Sequence, residues 1–312
     1  MFQPERLMLI ASPLMKRTSA FDRAGALAQA KDAALHIVAF DYVDGLATAG
    51  LVNDRALKEM RDGYVVRHRE WLEEQAHSIR NLGVQVTTEV VWVMQSLGEI
   101  MVHIREMNPS LVIKDVEHES WVTRMLFTSL DLRLLHDCPV PLHLVSKVEH
   151  ARPLKILAAV DTFDPDDQLP GINETIITQA EKLAAQCDAQ LHLIYAYDLT
   201  SVFASQNAMG FSSNLAQTLY EAEEDAFNKL AEQFGVPNEC KHFVMGYPAK
   251  VIGAFAEVQN IDVIVMGTVH RNRLSALLGS TTEHVAHHMP SSLLVVDPRN
   301  TSCAAGSTSQ GA

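Results

Sequence analysis

The sequence lacks the features of several large protein classes. Its 312 residues include only four cysteines, none in a C-x-x-C pair, so it does not resemble a disulfide-stabilised secreted domain and fits a reducing compartment. No apolar run approaches the roughly 20 residues that cross a bilayer, and the N-terminus carries no convincing secretory signal. We therefore predict a cytoplasmic protein that does not enter a membrane.

Basic residues are also in the minority. Lysine and arginine total 25 against 38 aspartates and glutamates, which gives a net charge of −13. A protein that binds nucleic acid through the phosphate backbone normally carries the opposite balance. We expect no direct nucleic-acid partner.

Three common enzyme signatures are missing as well. No G-x-G-x-x-G follows a strand, no G-x4-G-K-[ST] is present, and no G-x-S-x-G elbow occurs. These absences argue against a nicotinamide-dependent dehydrogenase, a P-loop NTPase and an α/β-hydrolase.

The sequence does contain an internal repeat, because its first and second halves are similar to each other. Five segments of the first half match five of the second half in the same order and at a nearly constant separation. The pairs are 7–12 with 155–161, 34–44 with 190–200, 90–101 with 241–252, 108–116 with 260–269, and 137–146 with 288–297. Such an ordered series indicates duplication.

Within each half, short β-branched runs alternate with helical patterns. Apolar runs predict strands buried on both faces, and the intervening helices supply crossovers, so we predict an α/β fold made of two tandem doubly wound, Rossmann-like parallel-sheet domains. The predicted domains are residues 1–147 and 153–298, joined by a charged segment that ends in Pro153. Residues 299–312 are small and polar, and we expect a disordered tail.

A candidate anion-binding loop follows the fourth strand of the second half. Gly267 ends an apolar run, and Gly279-Ser280-Thr281 precede a helical pattern. Free N–H groups, hydroxyls and the positive end of the helix dipole would attract phosphate there. Ser280 and Glu283 also fit a capping box that starts the helix without any ligand, so the motif alone leaves both interpretations open.

The combined motifs resemble the universal stress protein family, whose nucleotide loop has the form G-x2-G-x9-G-[ST] after the fourth strand. The resemblance covers both halves and is greatest to the tandem, E-type bacterial members. It includes the D-x-I-V-M-G strand at 262–267, the G-x-P turn at 246–248 and the closing P-x-x-L-L-V-V strand at 290–296. It implies a regulatory stress-response protein that binds ATP or another adenine nucleotide, with Mg²⁺ when ATP is bound.

The resemblance also implies particular binding residues in the second half. Asp161 would lie by the adenine and ribose, the backbone near Ala196 would contact the adenine, and Gly267 would pass under the ribose and phosphates. The full set that it implies is Asp161, Ala196, Met266, Gly267, His270, Gly279, Ser280 and Thr281. The loop departs from the family pattern because His270 replaces the second glycine and only eight residues separate it from Gly279.

The first half has lost this loop. Lys114-Asp115 stand where the second half has Met266-Gly267, and acidic Glu117 follows. A carboxylate about 4 Å from a phosphate costs on the order of 4 kcal/mol at an effective dielectric near 20, so we predict no triphosphate binding here. This half is either a scaffold or a pocket for another ligand, with a metal contact open to Asp115, Glu117 and His118.

Three functional hypotheses follow. The first is a nucleotide-sensing module, and the second is a slow ATPase or an enzyme that autophosphorylates at Ser280 or Thr281. The third is a protein that binds another ligand or a protein partner. A homodimer is compatible with all three, and metal binding by the histidine-rich segment at 284–288 is the less favoured interpretation of that segment.

Overall fold

The computed structural model describes residues 5–41, 54–93, 97–116, 130–146, 149–162, 170–198, 213–268, 280–287 and 291–298. The chain divides into two compact units, Met1–Arg152 and Pro153–Ala312. The predicted tail at 299–312 lies outside the described residues.

The first unit is a parallel sheet with helices between successive strands. Its elements are β1 (Arg6–Ala11), α1 (Ser19–Ala30), β2 (Ala34–Asp41), α2 (Asp54–Arg80), β3 (Val86–Trp92), α3 (Leu97–Met107), β4 (Leu111–Asp115), α4 (Leu130–Asp137) and β5 (Leu142–Val145). The strand order is β3-β2-β1-β4-β5, with parallel pairing throughout.

The second unit repeats this order. Its elements are β6 (Lys155–Val160), α5 (Ile172–Cys187), β7 (Gln190–Tyr197), α6 (Ser213–Gln233), a 3₁₀ turn (Asn238–Cys240), β8 (Lys241–Met245), α7 (Pro248–Val258), β9 (Val263–Gly267), α8 (Ser280–His287) and β10 (Ser292–Val296). The strand order is β8-β7-β6-β9-β10, again all parallel.

The core of each unit lies along its central strands. In β1 the three residues from Leu7 to Leu9 are fully buried, and in β6 the three from Ile156 to Ala158 are fully buried. Burial on both faces explains why these strands are continuous apolar runs rather than alternating ones. The predicted fold class, a mostly parallel α/β sheet with alternating helices, is confirmed.

The two units also share the residues that end their helices. Asp32 and Asp188 have φ values of 50° and 53°, and Asn108 and Asn260 have 44° and 52°. Asp and Asn tolerate this left-handed backbone better than other non-glycine residues, so each acts as a stop after a helix. The left-handed backbone at Asp32 explains why α1 ends at Ala30.

Candidate functional site

The candidate site of the second unit is the edge where its parallel strands end. Strand β6 lies between β7 and β9, so the chain leaves β6 in one direction and returns to its other side. In doubly wound sheets, ligands bind outside the carboxyl ends of the strands at this switch point. Asp161 follows β6 directly and Gly267 is the last residue of β9, so the two predicted residues flank it.

Asp161 is exposed, and its backbone is held by one side chain. The Asn173 side-chain amide donates to the Asp161 carbonyl oxygen at 2.7 Å, and the Asp161 N–H donates to Asn173 Oδ1 at 3.1 Å. Asn173 is the second residue of α5. This pair of hydrogen bonds ties the end of β6 to the start of the next helix and fixes the backbone that carries the carboxylate.

Beside Asp161 lies a buried acid that sequence reasoning missed. The Tyr195 hydroxyl donates to Glu223 Oε2 at 3.0 Å, and both residues are buried. Burial raises the pKa of the Glu223 carboxyl, and the neighbouring charge of Asp161 adds to the effect. Burial and the same acids raise the pKa of Tyr195 too. The sequence pattern could have identified Glu223 as buried, because Glu223, Phe227 and Ala231 follow one another at four-residue intervals and lie on the same buried face of α6.

These groups determine what this end of the site can accept. The carboxyl groups of Asp161 and Glu223 bring negative charge and hydrogen-bond acceptors to this end of the site. The arrangement suits a ligand that presents hydroxyl or N–H donors, such as a sugar or a base, and disfavours phosphate. Ala196, next to Tyr195 in β7, is buried and pairs with Val244 of β8.

Gly267 has a packing reason to be glycine. A Cβ added there would lie 2.4 Å from Cδ1 and 2.7 Å from Cγ1 of Ile172, the first residue of α5. Real Cβ atoms do not approach other carbons so closely. The glycine therefore lets α5 pack onto the end of β9, whether or not a ligand also approaches its backbone.

The start of α8 is tied to the same point. The Thr282 hydroxyl donates to the Gly267 carbonyl oxygen at 3.1 Å, and this bond is buried. Next to Gly267, the backbone N–H of Thr268 donates to the Val296 carbonyl at 3.0 Å, while its buried hydroxyl has no hydrogen-bond partner among the described residues. The end of β9 thus carries both the contact with the first turn of α8, at Gly267, and, at Thr268, a buried hydroxyl that is unpartnered within the described part of the chain.

Some of the predicted site residues are placed by the structure. Asp161, Ala196, Met266, Gly267 and Thr281 are described; Met266 is buried in β9 and Thr281 is half-buried in the first turn of α8. Ser280 is the first residue of α8, but its side chain is not described. His270 and Gly279 lie outside the described residues, as do His288 and the side chains of His284 and His287.

The corresponding edge of the first unit is filled by an ion pair. Lys114 and Met266 are each the fourth residue of their strand. At the 151-residue offset of the matched segments 137–146 and 288–297, Asp131 of α4 corresponds to Thr282 of α8. Lys114 Nζ lies 2.8 Å from Asp131 Oδ1, and both side chains are buried. Lys114 also donates to the Asp115 carbonyl at 3.1 Å. Glu117 and His118, named with Asp115 for a metal contact, lie outside the described residues.

Comparison with known proteins identifies the repeat. The family model described as "Universal stress protein family" matches residues 12–146 and again 154–297. Universal stress protein E of Escherichia coli K12 is 28% identical over 242 residues, which are 77% of each chain. The Universal stress protein E homolog of Haemophilus influenzae is 25% identical over 301 residues, 94% of this chain and 97% of the other.

A solved structure shows the same fold. A protein of Pseudomonas aeruginosa PAO1, described as functionally unknown, matches with a TM-score of 0.71 at 24% identity, over 96% of this chain and 95% of the other. No helix among the described residues is both long and apolar enough to cross a membrane.

Proposed function

Because the chain belongs to the universal stress protein family, we propose that it is a stress-response protein whose second unit binds an adenine nucleotide as a regulatory ligand. The observation that carries the proposal is the position of Asp161 and Gly267 on the two sides of the switch point, with the start of α8 tied to Gly267. By the family resemblance, Asp161 and Gly267 each contact a different part of one nucleotide.

The two ends of this edge offer different groups, and they match the two ends of a nucleotide: acceptors for the sugar or base at one end and groups that bind phosphate at the other. The Asp161 and Glu223 end offers acceptors for sugar hydroxyls or an adenine amino group. The β9 end offers the helix N-terminus at Ser280 and Thr281 and the buried Thr268 hydroxyl, which suit phosphate oxygens. In the sequence, Arg271 and Arg273 add positive charge to the segment between Gly267 and Gly279.

We propose that the second unit binds the nucleotide as a regulatory ligand and does not hydrolyse it, because the acidic groups at this edge are placed to hold the ligand. Glu223 already accepts a hydrogen bond from the Tyr195 hydroxyl, and Asp161 lies at the end that we expect to hold the sugar. If the ligand is ATP, we expect Mg²⁺ to accompany it. A homodimer and a cytoplasmic location stay predictions of the sequence analysis.

The test is the nucleotide content of purified protein, released by denaturation and separated by anion exchange. We expect close to one adenine nucleotide per chain, lost in the variant Gly279→Asp plus Ser280→Asp, which places carboxylates where phosphate would bind. The matched control is Thr128→Asp plus Ser129→Asp, at the corresponding place in the first half, which should leave the nucleotide content unchanged.

The other outcomes separate the alternatives. Phosphate release above background, abolished by the Gly279 and Ser280 substitutions, would favour the slow ATPase. If the protein carries no nucleotide and its thermal unfolding does not respond to added ATP with Mg²⁺, the nucleotide proposal fails. Gly267 would then be explained by the packing of Ile172 alone, and the site would be one for another ligand or a protein partner.

A further inference from the structure

A cluster of two histidines and a glutamate lies in the first unit, in a different part of the fold from the nucleotide-loop position. His36 is on β2, Glu89 is on the neighbouring β3, and His103 is on α3. One ligand atom from each of the three lies within 4.8 Å of the other two. Thr87 pairs with His36 across the strands and shares a face of the sheet with Glu89, two residues further on.

The distances in this cluster are those expected between ligands of one metal ion. Glu89 Oε2 lies 3.4 Å from His36 Nε2 and 3.5 Å from His103 Nε2. Charge-assisted hydrogen bonds are shorter, at about 2.7–2.9 Å. Two ligand atoms that are each about 2.0–2.1 Å from a tetrahedral zinc ion lie about 3.3–3.4 Å apart.

The two imidazole nitrogens that face Glu89 lie within ion-pair distance of its carboxylate but outside hydrogen-bond geometry. His36 Nε2 and His103 Nε2 are both buried, and neither has a hydrogen-bond partner among the described residues. A buried polar atom without a partner costs on the order of 1–3 kcal/mol. A metal ion between the three groups would accept both lone pairs and the carboxylate.

A further contact orients one of the ligands. His36 Nδ1 lies 2.8 Å from Thr87 Oγ1. When Nδ1–H donates to this hydroxyl, Nε2 is left with the lone pair that a metal requires. His36 is only 6% exposed, whereas the Glu89 side chain is 45% exposed. The glutamate side therefore gives solvent, and a fourth ligand such as water, access to the ion.

The positions that correspond to His36, Glu89 and His103 in the second unit do not form a cluster of metal-ligand atoms. The third residue of β7 is His192, as His36 is the third residue of β2, and His242 has the place of Glu89 in the ladder. Phe255 of α7 lies five residues before the left-handed Asn260, as His103 of α3 lies five residues before the left-handed Asn108. Here His192 Nδ1 and His242 Nε2 hydrogen-bond directly at 3.0 Å, and Phe255 packs on His242 with ring centroids 4.4 Å apart. The first unit differs from this arrangement by a carboxylate, Glu89, in place of His242 and by an imidazole, His103, in place of Phe255.

We propose that His36, Glu89 and His103 form a binding site for a divalent transition-metal ion of the zinc class. Two imidazoles and one carboxylate are a donor set that suits Zn²⁺ and similar ions, whereas Ca²⁺ and Mg²⁺ prefer oxygen ligands alone. Three protein ligands leave one coordination position for water.

The test is metal binding by untagged full-length protein that has been dialysed against a chelator. Zn²⁺ is titrated in competition with a chromophoric chelator, and Co²⁺ is added separately to read the coordination geometry from its visible absorption. We expect one saturable site with the intense absorption of tetrahedral Co²⁺. His103→Phe, which introduces the residue of the second unit, and Glu89→Gln should each weaken Zn²⁺ binding at least tenfold.

Controls separate this site from the other histidines. His242→Gln and the double variant His284→Ala plus His288→Ala should leave the affinity unchanged, and circular dichroism verifies that each variant is folded. Glu89 is half-exposed, so Glu89→Gln carries the test if His103→Phe does not fold. No saturable Zn²⁺ binding, or an affinity unchanged in a folded Glu89→Gln or His103→Phe variant, would overturn the proposal.

Discussion

The ends of β4 and β9 occupy the same place in two copies of one fold, yet they are stabilised by different chemistry. In the first unit a buried lysine and aspartate neutralise each other. In the second, a glycine makes room for Ile172, and a threonine hydroxyl ties the helix to the strand. The comparison shows that the two units keep the same strand order while the side chains at the corresponding strand ends differ.

The largest effect is expected at the ion pair. Lys114→Met, which introduces the residue of the second unit, removes the charge that neutralises buried Asp131 and should destabilise the first unit by about 3–5 kcal/mol. All three tryptophans lie in the first half, so denaturant unfolding followed by tryptophan fluorescence reports on this unit.

The double variant Lys114→Met plus Asp131→Thr sharpens the same comparison. It copies the Met266 and Thr282 pair, removes both buried charges together, and should recover most of the lost stability. A single variant as stable as the parent, or a double variant no more stable than the single one, would show that the pair is not what stabilises this edge.

The next effect is expected at Gly267. Gly267→Ala forces a Cβ against Ile172 and should lower the free energy of unfolding of the second unit by about 1–3 kcal/mol, measured by far-UV circular dichroism in denaturant. The matched control is Gly253→Ala in α7, where an added Cβ meets nothing within 4 Å. That change should be neutral or slightly stabilising. Equal effects at the two glycines would contradict the packing explanation.

Acid should weaken the second unit through His242. Burial, and then the charge of His192, lower the pKa of His242 to about 4 from an ordinary value near 6.5. Because the unfolded chain binds the proton more readily, stability is full above pH 6.5 and falls as the pH drops towards 4. After allowance for partial exposure, we expect a loss of about 1–2 kcal/mol.

The measurement is the free energy of unfolding at several pH values between 7 and 4. His242→Gln should flatten part of this dependence, whereas His77→Gln, at the C-terminal end of α2 in the first unit, should not. An unchanged slope in His242→Gln would show that other groups cause the acid sensitivity.

The smallest effect separates two neighbouring tyrosines on β7. The Tyr197 hydroxyl is buried without a hydrogen-bond partner among the described residues, so Tyr197→Phe should change stability by less than about 0.5 kcal/mol. Tyr195→Phe removes the hydrogen bond to Glu223 and should cost about 1–2 kcal/mol. Thermal unfolding of the two variants side by side tests the contrast, and a reversed order would refute the assignment of the Glu223 bond.

Much of the fold could be read from the sequence because its signals are local. Buried parallel strands require continuous apolar runs, and the helices between them require a 3.6-residue period, so the predicted alternation of strands and helices agrees with the structure. The exact element ends could not be read in this way, because they depend on single backbone angles, such as the positive φ of Asp32 after α1 and of Gly83 before β3.

The candidate site was only partly predictable. Asp161 and Gly267 could be found because each directly follows or ends a strand, and the carboxyl ends of parallel strands share one edge. Glu223 was missed because it reaches the edge from a distant helix, and the Lys114–Asp131 pair was missed because its members are separated by 17 positions in the chain.

The sequence by itself therefore determined the duplication, the order of strands and helices, the acidic balance and the family resemblance, since each depends on composition or on the order of neighbouring residues. Only the tertiary structure decided which side chains meet: Tyr195 with Glu223, Ile172 against Gly267, and His36 with Glu89 and His103. The physical reason is that these contacts join separate elements across the sheet, where distance in space is set by packing and not by distance along the chain.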